Sequence, residues 1–453
     1  MGRIKAAFWA APVLLAVLWL AADPSALQPA GFFALRGSMV QLSGLLAMGC
    51  MSLAMILALR PRWPERWLGG LDKMYRLHKW LGIGGLVLAV THWLWARGPK
   101  WAVGLGWLVR PERGARPAPA PAGTLEGALR SWRGTAEDVG EWAFYAAVLL
   151  IAVALIHRIP YRFFYRTHRL LAVAYLVLVF HTVVLLNFPY WITPLGVVVA
   201  VLLAYGTWAA MVVLACRVGA SRKAAGTITR LHYFPGLRVL AGDIQVPQGW
   251  SGHKPGQFMF VTADEADDAH PFTIASAWNP SERRLAFITK ELGDYTRRLP
   301  ELLRVGQPVN VEGPYGCFTF DGGDARQIWI GGGIGITPFI ARMEQLAMDR
   351  EAYIGRPRSQ AIDLFHTTAD WNEEAIAQLT ADAEAAGVRL HVLHDPRDGR
   401  LSGERIRAAV PDWAQASIWF CGPAGFGAAL RKDFAGHGFP VAERFHQELF
   451  AMR

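Results

Sequence analysis

RLHKWLGIGGLVLAVTHWLW (residues 76–95) and RTHRLLAVAYLVLVFHT (166–182) decide how this chain is read. Each is an apolar run that carries two histidines. His78 and His92 are fourteen residues apart, and His168 and His181 are thirteen apart. Ionisable side chains are costly inside a bilayer and mark function there. Imidazole is the common side-chain ligand of metals and of haem iron. On a helix, fourteen residues rise about 21 Å and stop about 40° short of four full turns. His78 and His92 therefore share a face, one near each side of a membrane. Thirteen residues rise about 19.5 Å but leave an ideal helix about 140° out of phase, so a tilt, supercoil or local irregularity has to correct the second run. Both runs are expected to cross from inside to outside. His78 then faces His168 at the inner level, and His92 faces His181 at the outer level. Two stacked imidazole pairs suit two six-coordinate b-type haems, with Gly82, Gly84, Gly85 and Ala89 leaving room for a flat macrocycle. The competing reading is polar histidines bonded within a helix bundle; it suits one such residue better than four in two matched levels. His157, beside Arg158, is given no role.

The rest of the N-terminal half supports a membrane domain. A spanning helix needs about 20 apolar residues, and six runs qualify approximately: 6–22, 38–59, 77–96, 141–157, 165–187 and 191–216. Pro12 is a point where the first can kink. The chain has 453 residues, 53% hydrophobic and only 18% charged, with 19 Trp, a residue favoured at membrane interfaces. Its net charge of +10 is unevenly spread. Residues 1–223 hold 23 Lys and Arg against 8 Asp and Glu, and the remainder 23 against 28. The positive excess lies between apolar runs, as the positive-inside bias requires, and a nucleic-acid patch on a soluble domain is disfavoured. Fifteen basic residues fall on the inner side if both termini are inside, and eight on the outer side, seven of them in the loop Arg97–Arg133. That loop contains ARPAPAPAG (115–123), a polyproline-like spacer. The run after the basic stretch Met1–Lys5 reads as a first anchor, not a cleaved signal. Cys50, Cys216, Cys317 and Cys421 have no disulfide or cluster spacing and read as reduced thiols.

Beyond Arg222 the texture changes. Residues 224–322 show short strand-like runs broken by Gly and Pro, such as GTITRLHYF, GQFMFVTA and RRLAFITKE, which predict an antiparallel barrel or sandwich. From Arg326 strands and helices alternate, with helices at 337–348, 372–386 and from Ala424, which predicts a parallel sheet. GGGIGITPF (331–339) follows a strand and opens a helix, the arrangement in which glycines admit a pyrophosphate to a helix N-terminus. A glycine-rich turn of any α/β domain is the alternative.

HPFTIAS (270–276), GDYT (293–296), GPYG (313–316), GGGIGITPF, CGP (421–423) and FHQELF (445–450) resemble motifs of the ferredoxin–NADP reductase superfamily. Preceded by six apolar runs with the histidine spacings above, the chain resembles the NADPH oxidase/ferric reductase family over nearly its whole length. The resemblance implies a six-helix transmembrane bundle (1–220), an antiparallel β-barrel FAD domain (221–323) and an α/β parallel-sheet NAD(P)-binding domain (324–453). It implies that His270, Pro271, Phe272 and Thr273 line the isoalloxazine, with Ser276 nearby, and that Gly293 and Thr296 hold the FAD pyrophosphate. Gly331, Gly332, Gly333, Gly335 and Thr337 would receive the pyridine nucleotide, and Cys421, Gly422 and Pro423 the nicotinamide. Glu448 and Phe450 would close the other flavin face. Thr273, Cys421, Glu448 and Phe450 are thus the implied catalytic residues, and His78, His92, His168 and His181 the haem-iron ligands. Two features depart from the animal oxidases: Ala451–Met452–Arg453 follows the aromatic, and Ala96 stands where they have a further histidine. Arg36 is a candidate for an acceptor anion or a haem propionate. FHTTADWNEE (365–374) has no Lys or Arg for a 2′-phosphate; Thr367 and Thr368 can bond one and Asp370 opposes it, so NADPH is favoured by the family alone.

The expectation is a multi-pass protein of the cytoplasmic membrane with both termini cytosolic. Electrons would pass from NAD(P)H through FAD and two b-type haems to a small acceptor outside, dioxygen or a ferric chelate. A transporter with a redox-sensing nucleotide domain, and a flavin reductase on a membrane scaffold, are the alternatives from other classes. Protein partners are left open.

Overall fold

The computed structural model describes residues 2–109, 123–156, 158–263, 269–322, 324–352 and 360–448. The proline-rich spacer (apart from Gly123), His157, Phe450 and Ala451–Arg453 lie outside the described residues. The chain separates into two compact units, one essentially Met1–Leu68 with Lys73–Val218, the other Gly69–Asp72 with Gly219–Ala451.

The first unit is helical. Its long helices are Gly2–Ala22, Phe32–Ala58, Leu71–Gly104, Arg133–Leu155, Leu171–Leu185 and Pro194–Leu214, with the shorter Tyr161–His168 preceding the fifth. Gly2–Ala22 runs unbroken through Pro12. Five segments among the described residues are long and apolar enough to cross a membrane: Gly2–Ala22, Phe32–Ala58, Arg133–Leu155, Phe163–Leu185 and Pro194–Leu214. The expected third span, 77–96, is the exception. It lies within the 34-residue helix Leu71–Gly104, but Gly82, Gly84, Gly85, Trp80, Trp93, Trp95 and His92 dilute its aliphatic content. Among its neighbours, Arg133–Leu155 and Leu171–Leu185 run together, as do Phe32–Ala58 and Pro194–Leu214. The core includes Leu15, Trp19, Leu45, Met48, Tyr175, Leu195 and Leu203.

The thirteen-residue spacing is corrected where the fifth run breaks. Between Tyr161–His168 and Leu171–Leu185 the backbone tightens into three-residue bonds: Leu170 N to Thr167 O, 3.0 Å; Ala172 N to Arg169 O, 3.1 Å; Val173 N to Leu170 O, 3.0 Å. A 3₁₀ turn rotates about 120° per residue against about 100° in an α-helix. About five residues so wound recover roughly 100° of the 140° deficit, so His168 and His181 come to the same side.

The second unit holds two sheets. The first is antiparallel: β1 (Lys223–Phe234), β2 (Val239–Gln245), β3 (Phe258–Thr262), β4 (His270–Thr273), β5 (Arg284–Lys290) and β6 (Pro308–Tyr315), in the order β4-β3-β6-β1-β2-β5. Its edge strands meet at a bridge between Ile274 and Phe287. Burial alternates at the start of β1, with Ala224, Gly226 and Ile228 inward and Lys223, Ala225 and Thr227 outward, the period of a half-buried strand. The second sheet is parallel: β7 (Arg326–Gly332), β8 (Ala361–Thr368), β9 (Arg389–His394), β10 (Ser417–Cys421) and β11 (Phe445–Gln447), in the order β11-β10-β7-β8-β9. β7 is apolar along its length because helices cover both faces of such a sheet. The helix Glu373–Ala386 begins where the Asn372 side chain accepts from Ala375 N and stops at Gly387, in the left-handed region with φ 65°.

Phe318 and Phe320, before the expected boundary at 323/324, are buried in the core of the parallel sheet with Trp329, Phe339 and Trp419. The two sheets are thereby pinned together by aromatic packing.

Candidate functional site

In the helical unit the four histidines form two pairs. The ring centroids of His78 and His168 are 5.9 Å apart, and those of His92 and His181 6.1 Å apart. A metal bonded to two imidazoles on opposite sides, at about 2.0 Å from each nitrogen with each ring centre about 1.1 Å further on, sets the centroids about 6.2 Å apart. The pairs have that separation. His78 Nδ1 lies 2.9 Å from Ala54 O, His92 Nδ1 2.9 Å from Val40 O, and His181 Nδ1 2.8 Å from Ala136 O. A carbonyl only accepts, so each Nδ1 carries the proton and each Nε2 keeps its lone pair for a metal. His168 Nδ1 is buried with no partner among the described residues. Each pair would thus offer two imidazole nitrogens to a haem iron, were one bound there. Among the described residues no group of three or more His, Cys, Asp or Glu is arranged to hold a metal ion; two-histidine sites fall below that size.

The outer pair rests on two glycines that sequence reasoning missed. A Cβ on Gly44 would stand 2.9 Å from His92 Nδ1, and one on Gly140 would stand 2.7 Å from Cε1 and Cγ of His181. Each glycine lies one turn beyond the carbonyl its histidine bonds, Val40 or Ala136. The available signal was this i, i+4 relation on a facing helix, which means nothing until the facing helix is known. Gly84 and Gly85 instead pack against Phe8 and against Met51 and Cys50, while Gly82 has nothing within 4 Å. Arg36 donates to Trp95 O (3.1 Å) and Ala96 O (2.9 Å), so two of its nitrogens are committed to backbone.

In the second unit the glycine turn and CGP come together. β7 lies between β8 and β10, so the direction of strand order reverses between β7 and β10. Ligands of open parallel sheets bind at such a crevice, off the carboxyl ends of the strands. Gly331 and Gly332 end β7, Gly333 to Ile336 form a 3₁₀ turn, and Thr337 opens the helix Thr337–Ala352, its hydroxyl donating to Ile334 O at 2.8 Å. Gly333 has φ 55°, a conformation that favours glycine. A Cβ on Gly332 would meet Pro423 at 3.0 Å, and one on Gly335 would strike the backbone of Cys421 and Gly422. His366 Nδ1 donates to Gly331 O at 3.2 Å. Burial holds His366 below the ordinary histidine range, and so neutral.

The HPFT strand divides by face. Pro271 is exposed and Thr273 partly exposed. Phe272 is buried against Phe287, ring centres 5.6 Å apart. His270 lies flat on Tyr295 at 3.4 Å. Alternation along β4 thus turns Phe272 into the sheet's apolar core, against the expectation that all four residues line one ring. Ser276 is fully buried, accepting from Ala286 N at 3.0 Å, and is a framework residue. Thr296 Oγ1 accepts from Gly293 N at 3.0 Å and caps the helix Asp294–Leu302, which leaves Gly293 and Thr296 at a helix N-terminus suited to an anion.

Thr273 is in register with Phe258, and Phe258 with Tyr315. Gln257 Nε2 donates to Gly316 O at 3.0 Å. A Cβ on Gly316, with φ 99°, would lie 3.3 Å from Glu448 Oε1. Burial, with the charge of Glu448 adding, pushes the Cys421 thiol well above its ordinary value. Thr273, Gly316, Glu448 and Cys421 thus belong to one neighbourhood at the joint of the two sheets, with Cys421 a neutral thiol and not a nucleophile. Thr367 donates to Asp395, and Asp370 pairs with Lys290 of β5, a cation brought to the end of β8 from 80 residues away.

Residues 43–179 match the family described as the ferric reductase like transmembrane component, and residues 237–319 match the FAD-binding domain family. A flavohemoprotein of Pseudomonas putida is 25% identical over 198 residues, 41% of this chain and 48% of its own length. Respiratory burst oxidase homolog protein E of Arabidopsis thaliana is 29% identical over 215 residues, 40% of this chain and 21% of its own. Among solved structures, a ferredoxin reductase in carbazole 1,9a-dioxygenase aligns with a TM-score of 0.41 at 18% identity, covering 50% of this chain and 69% of that one. The chain spans about half the length of the first of these relatives. The helical unit thus carries the match to the ferric reductase like transmembrane component and the other unit the match to the FAD-binding domain family, the two-part make-up that the resemblance to the NADPH oxidase/ferric reductase family implies.

Proposed function

We propose that the chain conducts electrons across a cytoplasmic membrane, from NAD(P)H through FAD and two b-type haems to dioxygen on the outer face. The two imidazole pairs carry this reading: each has the separation an axially bound iron requires, and Nδ1–H donation in three of the four rings leaves Nε2 free to bind. His78 and His168 hold the inner haem, and His92 and His181 the outer one. The helix Leu71–Gly104 is the sixth crossing; at about 1.5 Å per residue its 34 residues exceed the roughly 30 Å hydrocarbon core. Both termini are cytosolic, and the antiparallel sheet closes as a barrel through the Ile274–Phe287 bridge.

FAD supplies the conversion of a hydride into single electrons. The chain's residues position that chemistry. Gly293 and Thr296 offer an amide-lined helix end to the pyrophosphate, and Pro271 and Thr273 present the strand edge to the ring system. The turn from Gly331 to Thr337 receives the dinucleotide phosphates at the switch point. Cys421, Gly422 and Pro423 close the nicotinamide side as neutral, tightly packed groups, and Glu448 would close the opposite flavin face, a role the family resemblance also gives to Phe450, which is outside the described residues. NADPH is the favoured donor on family grounds, and likeness to a respiratory burst oxidase homolog supports dioxygen as acceptor.

The test is anaerobic reduction of the purified full chain by NADPH or NADH, followed by exposure to oxygen or ferric citrate while the haem bands are watched. Two low-spin b-type haems per chain that reoxidise with superoxide formation are expected. One haem or none refutes the pathway. Reoxidation by ferric citrate and not by oxygen moves the assignment to a ferric-chelate reductase.

A further inference from the structure

Hydride transfer needs two halves of one unit held at a fixed distance. The flavin side is presented by β4 and the segment after it, Ile274–Ala277. The nucleotide side is presented by the glycine turn that opens the helix Thr337–Ala352. One carboxylate spans the two. Glu344, on the third turn of that helix, accepts the Ala277 backbone N–H at 2.8 Å through Oε2. Through Oε1 it receives Arg284 Nη2 of β5 at 2.5 Å. Arg284 in turn reaches Asp243 Oδ1 of β2 at 3.3 Å. Ala277 is four residues after Thr273, and Glu344 is seven after Thr337, so both ends of the link lie within two turns or one short segment of the reacting groups.

We infer that Glu344 is a positioning residue, a strut that sets the gap between the flavin-bearing segment and the nucleotide-bearing helix. This rests on the reading that FAD and NAD(P)H meet there. The strut complements the remote aromatic pin of Phe318 and Phe320: the pin joins the two sheets as bodies, and Glu344 fixes the short segment that carries Thr273 and Ser276. A helix and a strand segment linked only through the pin can still shift by a fraction of an ångström at the site, and displacement of about 1 Å costs a transfer step about a hundred-fold. Only a carboxylate satisfies both partners, because each presents an N–H. A glutamine puts an amide nitrogen, a donor, where one of the two accepting oxygens stands, so in the same pose one of the two N–H groups loses its acceptor.

The experiment uses the full chain in detergent. Anaerobic stopped-flow reduction of the flavin is followed with NADPH and with C4-deuterated NADPH, and backbone amide exchange is measured over residues 270–284. Glu344→Ala is expected to slow the isotope-sensitive step about ten-fold or more with the nucleotide Kd unchanged, and to raise exchange at Ala277. Glu344→Gln is expected to fall between wild type and Ala. Wild-type rates with unaltered exchange would overturn the inference, as would a loss confined to nucleotide Kd. If Glu344→Ala fails to retain FAD, the Gln variant decides on the same readouts. A wild-type flavin that neither nucleotide reduces would refute the functional reading itself, an outcome distinct from the strut's failure.

Discussion

Gly140→Ala is the sharpest perturbation of the outer haem site. The new methyl would stand 2.7 Å from Cε1 and Cγ of the His181 ring, with Nδ1 nearer still. Real Cβ atoms sit about 3.4 Å or more from such neighbours, so the ring has to retreat by roughly 0.7 Å or more. The retreat stretches the 2.8 Å bond from Nδ1 to Ala136 O past useful length. Overpacking costs about 1–3 kcal/mol, and the lost hydrogen bond adds about 1 kcal/mol. At 1.4 kcal/mol per ten-fold, outer-haem affinity falls about 30- to 700-fold. Gly44→Ala is milder, because its nearest ring atoms are at 2.9 and 3.0 Å. Gly134→Ala, on the same helix as Gly140 with nothing within 4 Å, is the control. Haem per chain, from the pyridine haemochrome and the dithionite-reduced spectrum, should run from near two in Gly134→Ala, through a weakened second haem in Gly44→Ala, to near one in Gly140→Ala. Two haems with unchanged potentials in Gly140→Ala would refute the reasoning, since His181 would then not depend on its glycine seat.

The two haem levels should separate by mutation. His92→Ala is expected to leave one haem that NAD(P)H still reduces but oxygen reoxidises slowly; His78→Ala should stop all haem reduction by nucleotide while the flavin is still reduced, as stopped-flow spectra will show. Asp363 is 1% exposed and accepts from Arg326 at 2.6 Å and from His391 at 3.0 Å; Asp363→Asn should cost about 3 kcal/mol, as breaking a buried pair does, seen as earlier flavin release on heating. His253, half-buried with Nε2 donating to Ser276 O at 2.8 Å, is held down at about 4 by desolvation. The unfolded chain binds this proton first, so stability is lost as pH falls from the ordinary 6.5 toward 4, by at most about 1.4 kcal/mol per pH unit. His253→Leu should remove that share of the acid limb in melting curves between pH 7 and 5.

How much was legible follows from the range of each signal. Apolar runs, strand alternation and the strand–glycine–helix pattern at 326–348 are local, and the chain's own periodicity determined them. The same holds for the paired spacings His78–His92 and His168–His181, because helix pitch converts separation along the chain into height and face. The count of crossings was less secure, since Leu71–Gly104 gives up aliphatic residues where its glycines, tryptophans and His92 stand.

Tertiary structure alone decided what each of those residues meets. The tightened turn at 167–173 that brings His168 and His181 to one side leaves no mark in composition. Gly44 and Gly140 matter only because another helix delivers an imidazole to them. Alternation placed Phe272 in the core although its motif suggested the flavin. Lys290 reaches Asp370, and Glu344 reaches Ala277, across gaps of 80 and 67 residues. Local pattern depends on neighbours within a turn or a strand pair, whereas a site is made of contacts between distant segments, and those are set only when the whole chain packs.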